Sequence, residues 1–239
     1  KQADNPHQRH PYQPAYLYES AIAPISKLNI AGAIWYQGES NAHNVELHEL
    51  LLPTMVRSWR KNWGEQLQFY YTQLSSISGR ETWPHFRDSQ RRLLKKIPHA
   101  GMAVTSDIGA ENDVHPTQKK QVGERLARWA LADSYNKYIV KSGPLFDSFY
   151  IDGNKITVTF LHANRLQTRD GKTIREVEIA GKDKIYKPAN VIIKNNTLEV
   201  WNNEVSQPYF VRYGWKSFSE GNLVNEENLP ASTFSNEFE

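Results

Sequence analysis

Two short stretches carry the residue types from which an acyl-transfer site is built. His115 stands in E-N-D-V-H-P, with Glu111 and Asp113 close by and Asp107 a little upstream. A histidine works as a general base when a carboxylate fixes its tautomer and a hydroxyl lies within reach. The other stretch, W-Y-Q-G-E-S-N, supplies Glu39 as a candidate carboxylate and Gln37 as an amide donor of the kind that steadies an oxyanion. Gly38 between them lets the backbone approach closely. Alone, a histidine before a helix is more often a cap or a surface residue. The two stretches gain meaning only if the fold brings them together.

The elements around them predict that it does. Ile30, Ala31, Ala33, Ile34 and Trp35 form a short apolar run, the pattern of a parallel strand covered on both faces. Ligands in open α/β sheets gather beyond the carboxyl ends of strands, which is where Gln37 to Asn41 fall. Upstream, Leu17, Ala21 and Ile25 share a helical face that Pro24 bends or ends. Downstream, Leu47, Leu51, Met55, Trp59 and Trp63 recur at i+4 with Leu50 and Val56 widening the stripe, predicting a core-facing helix capped by Asn41 or Asn44 and closed by Gly64. Leu67 to Leu74 reads as a strand and Phe86 to Ile97 as a helix. Ala100 to Ile108 reads as a strand, and Pro116 to about Tyr135 as a helix with Pro116 at its first position and His115 at its entrance. This alternation predicts a parallel, doubly wound α/β unit over 15–140.

The periodicity changes after Lys141. Runs such as K-I-T-V-T-F, V-E-I, N-V-I-I and L-E-V-W alternate with D-G-N, D-G-K and N-N-T, so 141–239 is expected to be a β-sandwich-like accessory module. Its tail from Tyr209 onward reads as mostly loop packing back on the first unit, its aromatics filling the seam rather than binding sugar. At the other end, 1–14 has three prolines and no apolar run, the composition of a linker or surface loop. His7 and His10 there lack the Cys or acidic companions of a metal site and read as solvated.

Composition narrows the classes. A chain of 239 residues, 39% hydrophobic and 23% charged, can bury a sizeable core. No apolar run approaches the roughly 20 residues of a membrane span. A net charge of +3 with scattered basic residues argues against nucleic acid. Cysteine is absent, which excludes thiolate chemistry and disulfides.

W-Y-Q-G-E-S-N-A and N-D-V-H-P, together with V-G-E-R-L-A, resemble the motifs of the sialate O-acetylesterase branch of the SGNH (GDSL-like) hydrolases. The similarity extends through A-Y-L-Y-E-S-A-I-A-P-I, L-L-P-T-M-V-R-S-W-R-K-N-W-G, F-Y-Y-T-Q-L and V-R-Y-G-W. It implies part of a flavodoxin-like parallel sheet and hydrolysis of acetyl esters on sugars by a serine nucleophile, without cofactor or metal. By the resemblance His115 is the base, Gln37 lies in the block that holds the oxyanion, and Gly38 and Asn41 shape that loop. For the triad acid it implies Glu39, with Asp113 in reserve, because Asn112 occupies the position three before His115 where many SGNH enzymes carry Asp.

The nucleophile block, G-D-S or G-Q-S-N, has no match in Lys1 to Asn29, and Ser20, Ser26 and Ser40 read as ordinary polar residues. The expectation is a C-terminal portion whose serine comes from an upstream portion of the same protein. The expected partner is an O-acetylated sugar, on sialic acid at the 9-position or on xylan, in the periplasm or outside the cell. Two other classes compete: a carbohydrate-binding protein without catalysis, and a structural subunit in which His115 and Glu39 satisfy a core network.

Overall fold

Three parallel strands form the centre of the first half, in a computed structural model that describes residues 13–239. They are β1 (Gly32–Trp35), β2 (Gln68–Gln73) and β3 (Ala100–Val104), side by side in that order. The connections run through α1 (Val45–Trp63) and α2 (Trp83–Lys96), and α3 (Lys119–Trp129) follows β3. Phe69 and Tyr71 of β2 point toward α1 and α2, where Trp35, Trp59 and Leu93 meet them. Tyr70, facing the other way, stacks on Trp129 of α3 at 6.4 Å. Helices on both faces thus bury β2 and β3, as the alternating pattern predicted.

Local signals set the limits of α1. The Asn44 carboxamide oxygen accepts the Leu47 N–H at 3.0 Å, and Gly64 ends the helix with φ at 91°. Its buried face differs from the predicted stripe. The buried residues are His48, Leu52, Pro53, Val56 and Arg60, while Leu47, Leu50 and Leu51 stand exposed, so of the stripe Val56, Met55 and Trp59 reach the core. A second correction concerns β1, which is not covered on both faces. It is the edge strand among the described residues, and Ile34 is 69% exposed. Leu17 and Ile25, on a π-helical turn (Tyr18–Ile22) and a 3-10 turn (Ala23–Ile25), are exposed too.

The second half is antiparallel. One sheet holds β4 (Leu145–Asp152), β5 (Lys155–Leu161), β10 (Thr197–Trp201) and β9 (Asn190–Lys194) in that order. The other holds β13 (Phe234–Ser235), β11 (Phe210–Tyr213), β7 (Val177–Ala180) and β8 (Lys187–Pro188), and β6 (Gln167–Thr168) pairs with β12 (Leu223–Val224). Ile156, Val158, Leu198 and Val200 from one sheet meet Ile179, Val211, Tyr213 and Phe234 from the other in one core. Outside the short strands β11, β12 and β13 and a 3-10 turn (Asn236–Phe238), the tail from Tyr209 is loop, as predicted. It does pack on the first half: buried Asp88 of α2 accepts the Ser235 N–H at 3.2 Å, and Arg91 pairs with Glu239 at 2.6 Å. Arg87, fully buried, donates to the carbonyls of Gly214 and Lys216, and burial lowers its pKa to about 10. The linker expected over 1–14, with His7 and His10, falls outside the described residues apart from Gln13 and Pro14. Among the described residues no helix is long and apolar enough to cross a membrane, and no cluster of metal-ligating side chains occurs.

Candidate active site

Parallel strands end on the same edge of their sheet, so the segments leaving β1, β2 and β3 emerge side by side. Between them lies a cleft of about 820 Å³, lined by Gln37, Glu39 and Ser40 after β1, Arg80 and Trp83 after β2, and His115 and Lys119 after β3. Glu39 and His115 thus share one rim although 76 positions separate them in the chain.

The first wall owes its shape to Gly38. Its φ of 144° is accessible to glycine, and a Cβ there would stand 2.7 Å from Cε1 of buried Phe86. Phe86 in turn packs on His48, whose imidazole is lowered to about 4 chiefly by burial and is neutral at pH 7. Gly38→Ala should therefore destabilise the fold by roughly 2–5 kcal/mol, combining backbone strain with overpacking. Denaturant titration checks this, and an unchanged midpoint would show that the loop tolerates a side chain.

Past Gly38 the chain forms a 3-10 turn, Glu39–Asn41, and the Gln37 amide donates to the Asn41 side-chain oxygen at 2.7 Å. One of the Gln37 donors is thereby used to brace the loop, and Asn41 acts as that brace. No hydrogen bond or ion pair holds the Glu39 carboxylate among the described residues.

His115 lies further from a helix than predicted. Pro116 is not the first residue of α3, which begins at Lys119 after Gln118 at its N-cap. The intervening residues are turns, because Asp113 takes the His115 N–H at 2.8 Å and holds the backbone out of helical geometry. The same carboxylate oxygen stands 3.6 Å from His115 Nδ1, leaving the imidazole 88% exposed. Asp113 therefore touches both the backbone and the ring of His115, while Glu39 lines the same cleft. Asp107, upstream, belongs to another network: burial alone would raise its carboxyl, but Arg125 at 2.5 Å and Arg169 at 2.7 Å hold it low.

Ser20 and Ser26 donate to the carbonyls of Tyr16 and Ala23, at 2.7 and 2.8 Å, so neither hydroxyl is directed into the cleft. Ser40 lines it, without a hydrogen bond to His115 among the described residues. Sequence reasoning passed over Arg80, Trp83 and Lys119. The rule that chemistry collects beyond strand ends, applied to β2, would have reached Arg80. Lys119 rests over the Tyr36 ring, 4.5 Å from its centroid, and neither Lys119 nor Arg80 forms an ion pair among the described residues.

Comparison with known proteins agrees with these motifs. XAC1771, a carbohydrate acetylesterase from Xanthomonas citri, shares 36% identity and superposes with a TM-score of 0.88 over 92% of this chain and 53% of its own. Sialate O-acetylesterases from Mus musculus and Homo sapiens are 28% and 26% identical, over 68% of this chain. The chain spans 35% and 36% of the length of those two relatives. Residues 6–132, more than half of the chain and both site stretches, match the family described as carbohydrate esterase, sialic acid-specific acetylesterase. With the motifs, the fold and this match in agreement, the chain belongs to the sialic acid-specific acetylesterase family of carbohydrate esterases, the SGNH branch that its two site stretches resemble.

Proposed function

We propose that this chain carries the base, the orienting acid and part of the oxyanion site of a carbohydrate O-acetylesterase, and that the nucleophilic serine comes from an upstream portion of the same protein. In this mechanism His115 Nε2 takes the serine proton as Oγ attacks the acetyl carbonyl. The negative charge that develops on the carbonyl oxygen is met by donors of the Gln37–Gly38 segment, and the departing sugar oxygen recovers the proton from His115. Water then attacks the acetyl-serine by the same route, with His115 again as base, and releases acetate.

The observation that carries the proposal is the shared cleft of Gln37, Glu39 and His115. The open side of β1 supports the origin of the serine. Ile34, Leu28 and Ile30 of that edge and Leu47, Leu50 and Leu51 of α1 are all exposed, an apolar flank that a further strand and helix would cover. As for substrate, among the described residues Arg80 and Lys119 are cations without ionic partners in a cleft whose one acidic lining residue is Glu39. That balance favours an anionic sugar such as a 9-O-acetylated sialic acid over a neutral xylan. A glycan substrate also suits the periplasm or the space outside the cell.

The 239-residue chain by itself should hydrolyse neither p-nitrophenyl acetate nor O-acetylated sialic acid. The protein that includes the upstream portion should hydrolyse both, and Ser40→Ala in that protein should stay active. Serine-dependent turnover by the isolated chain would overturn the proposal. Sugar binding without acetyl release by the longer protein would favour a carbohydrate-binding role instead.

A further inference from the structure

Arg80 reaches the cleft from a turn that has little packing of its own. Gly79 before it has φ at 71°, and a Cβ there would meet open space. What fixes this turn comes from the other half of the chain. After β11, the segment 214–219 runs beside the loop that leaves β2, and half-buried Ser217 makes three contacts with it. The Ser217 hydroxyl donates to the Ile77 carbonyl, the same oxygen accepts the Arg80 N–H at 3.0 Å, and the Ser217 carbonyl accepts the Ile77 N–H at 3.3 Å. On its other side the Arg80 carbonyl accepts the Trp83 N–H at 3.1 Å, where α2 begins. Arg80 is thus gripped between α2 and the β-rich half.

The rest of the loop is held without the Ser217 hydroxyl. Buried Ser76 donates to the Ser106 carbonyl at 2.6 Å and accepts from Arg87 and from the Ser219 N–H, each at 3.0 Å. The Ser78 N–H donates to the Glu111 carbonyl at 2.8 Å, which ties the loop to the stretch that carries His115. The Trp83 indole donates to the Ser75 carbonyl at 2.7 Å. Removing the Ser217 hydroxyl therefore frees the backbone of Arg80 and leaves the His115 side anchored. A guanidinium on a fixed backbone has less freedom to lose when it meets an anion.

We infer that Ser217 is a positioning residue that holds Arg80 for the carboxylate of the acetylated sugar, so that the β-rich half sets the enzyme's preference for a charged substrate. The inference rests on the esterase reading and on the anionic sugar proposed with it.

The test uses the protein with its upstream portion. Acetyl release is measured from 9-O-acetylated sialic acid, from its methyl ester, which is the same sugar without the charge, and from p-nitrophenyl acetate. The parent protein should prefer the acid to the ester about tenfold in kcat/KM, through KM. Ser217→Ala should erase that preference, and Ser217→Thr, which keeps the hydroxyl, should retain it. Arg80→Ala should erase it too, and the double variant should lose nothing more, because both changes act on one contact. Equal proportional losses on acid and ester in Ser217→Ala would make Ser217 merely structural and overturn the inference. So would a retained preference, additive losses in the double variant, or a parent protein that hydrolyses p-nitrophenyl acetate but does not favour the acid. If none of the three substrates releases acetate, the esterase reading falls, and calorimetry with sialic acid and its methyl ester decides the positioning separately. Tighter binding of the acid that Ser217→Ala removes upholds it, and equal or absent binding overturns it.

Discussion

Replacing His115 by alanine in the protein that includes the upstream portion is expected to lower kcat by roughly 10⁴- to 10⁶-fold, with little change in KM. In the proposed mechanism the imidazole takes the serine proton and returns it to the sugar oxygen, so its loss removes both transfers at once. Stability should hardly respond. The ring is 88% exposed and pairs with Asp113 only at 3.6 Å, so the free energy of unfolding should change by no more than a surface substitution usually causes, about 0.5 kcal/mol. An unchanged kcat would take His115 out of the mechanism, and a large drop in stability would make it a structural residue.

The second large effect distinguishes the two carboxylates. By resemblance Glu39 was expected to orient the histidine, with Asp113 in reserve, whereas the contacts favour Asp113. One of its oxygens already receives the His115 N–H at 2.8 Å and lies 3.6 Å from Nδ1, a separation that catalytic hydrogen bonds commonly shorten when substrate binds. We therefore expect Asp113→Asn to cost about 10³- to 10⁴-fold in kcat, because the neutral amide neither fixes the tautomer nor stabilises the imidazolium. Glu39→Gln should cost less than about tenfold, the effect of changing a wall of the cleft rather than its acid. Steady-state kinetics of the two variants side by side decide the assignment, and the reverse order of losses would make Glu39 the acid.

Much of this site was legible in the sequence because it is organised by local rules. Asn44 and Gly64 mark the ends of α1 through a cap and a positive φ, both set by neighbours in the chain. The alternation of strands and helices places the C-terminal ends of β1 and β3 on one edge, which is why Glu39 and His115 line one cleft. What was misread depends on distant parts of the chain. The apolar run of β1 contains nothing to say that the strand is at an edge, and the stripe Leu47–Leu51 on α1 extends past the same open side. Its buried neighbours His48 and Arg60 are polar and break the apolar pattern, although His48 packs on Phe86 and Arg60 donates to the carbonyls of Leu67 and Pro98. Pro116 suggested a helix start, but the turn made by Asp113 and His115 delays α3 to Lys119. The tail is mostly loop, as read, and its short strands were not legible because β12 and β13 are two residues each and gain their stability from partners in β6 and β11.

The central claim is that a serine from outside residues 13–239 reaches His115 in the cleft. Its most direct test is to react the protein containing the upstream portion with a fluorophosphonate, which labels activated serines, and to locate the modified residue by peptide mass spectrometry. The account predicts a single labelled serine in the upstream portion, with labelling abolished by His115→Ala. Label on Ser40, or on any other serine of the described chain, would contradict it.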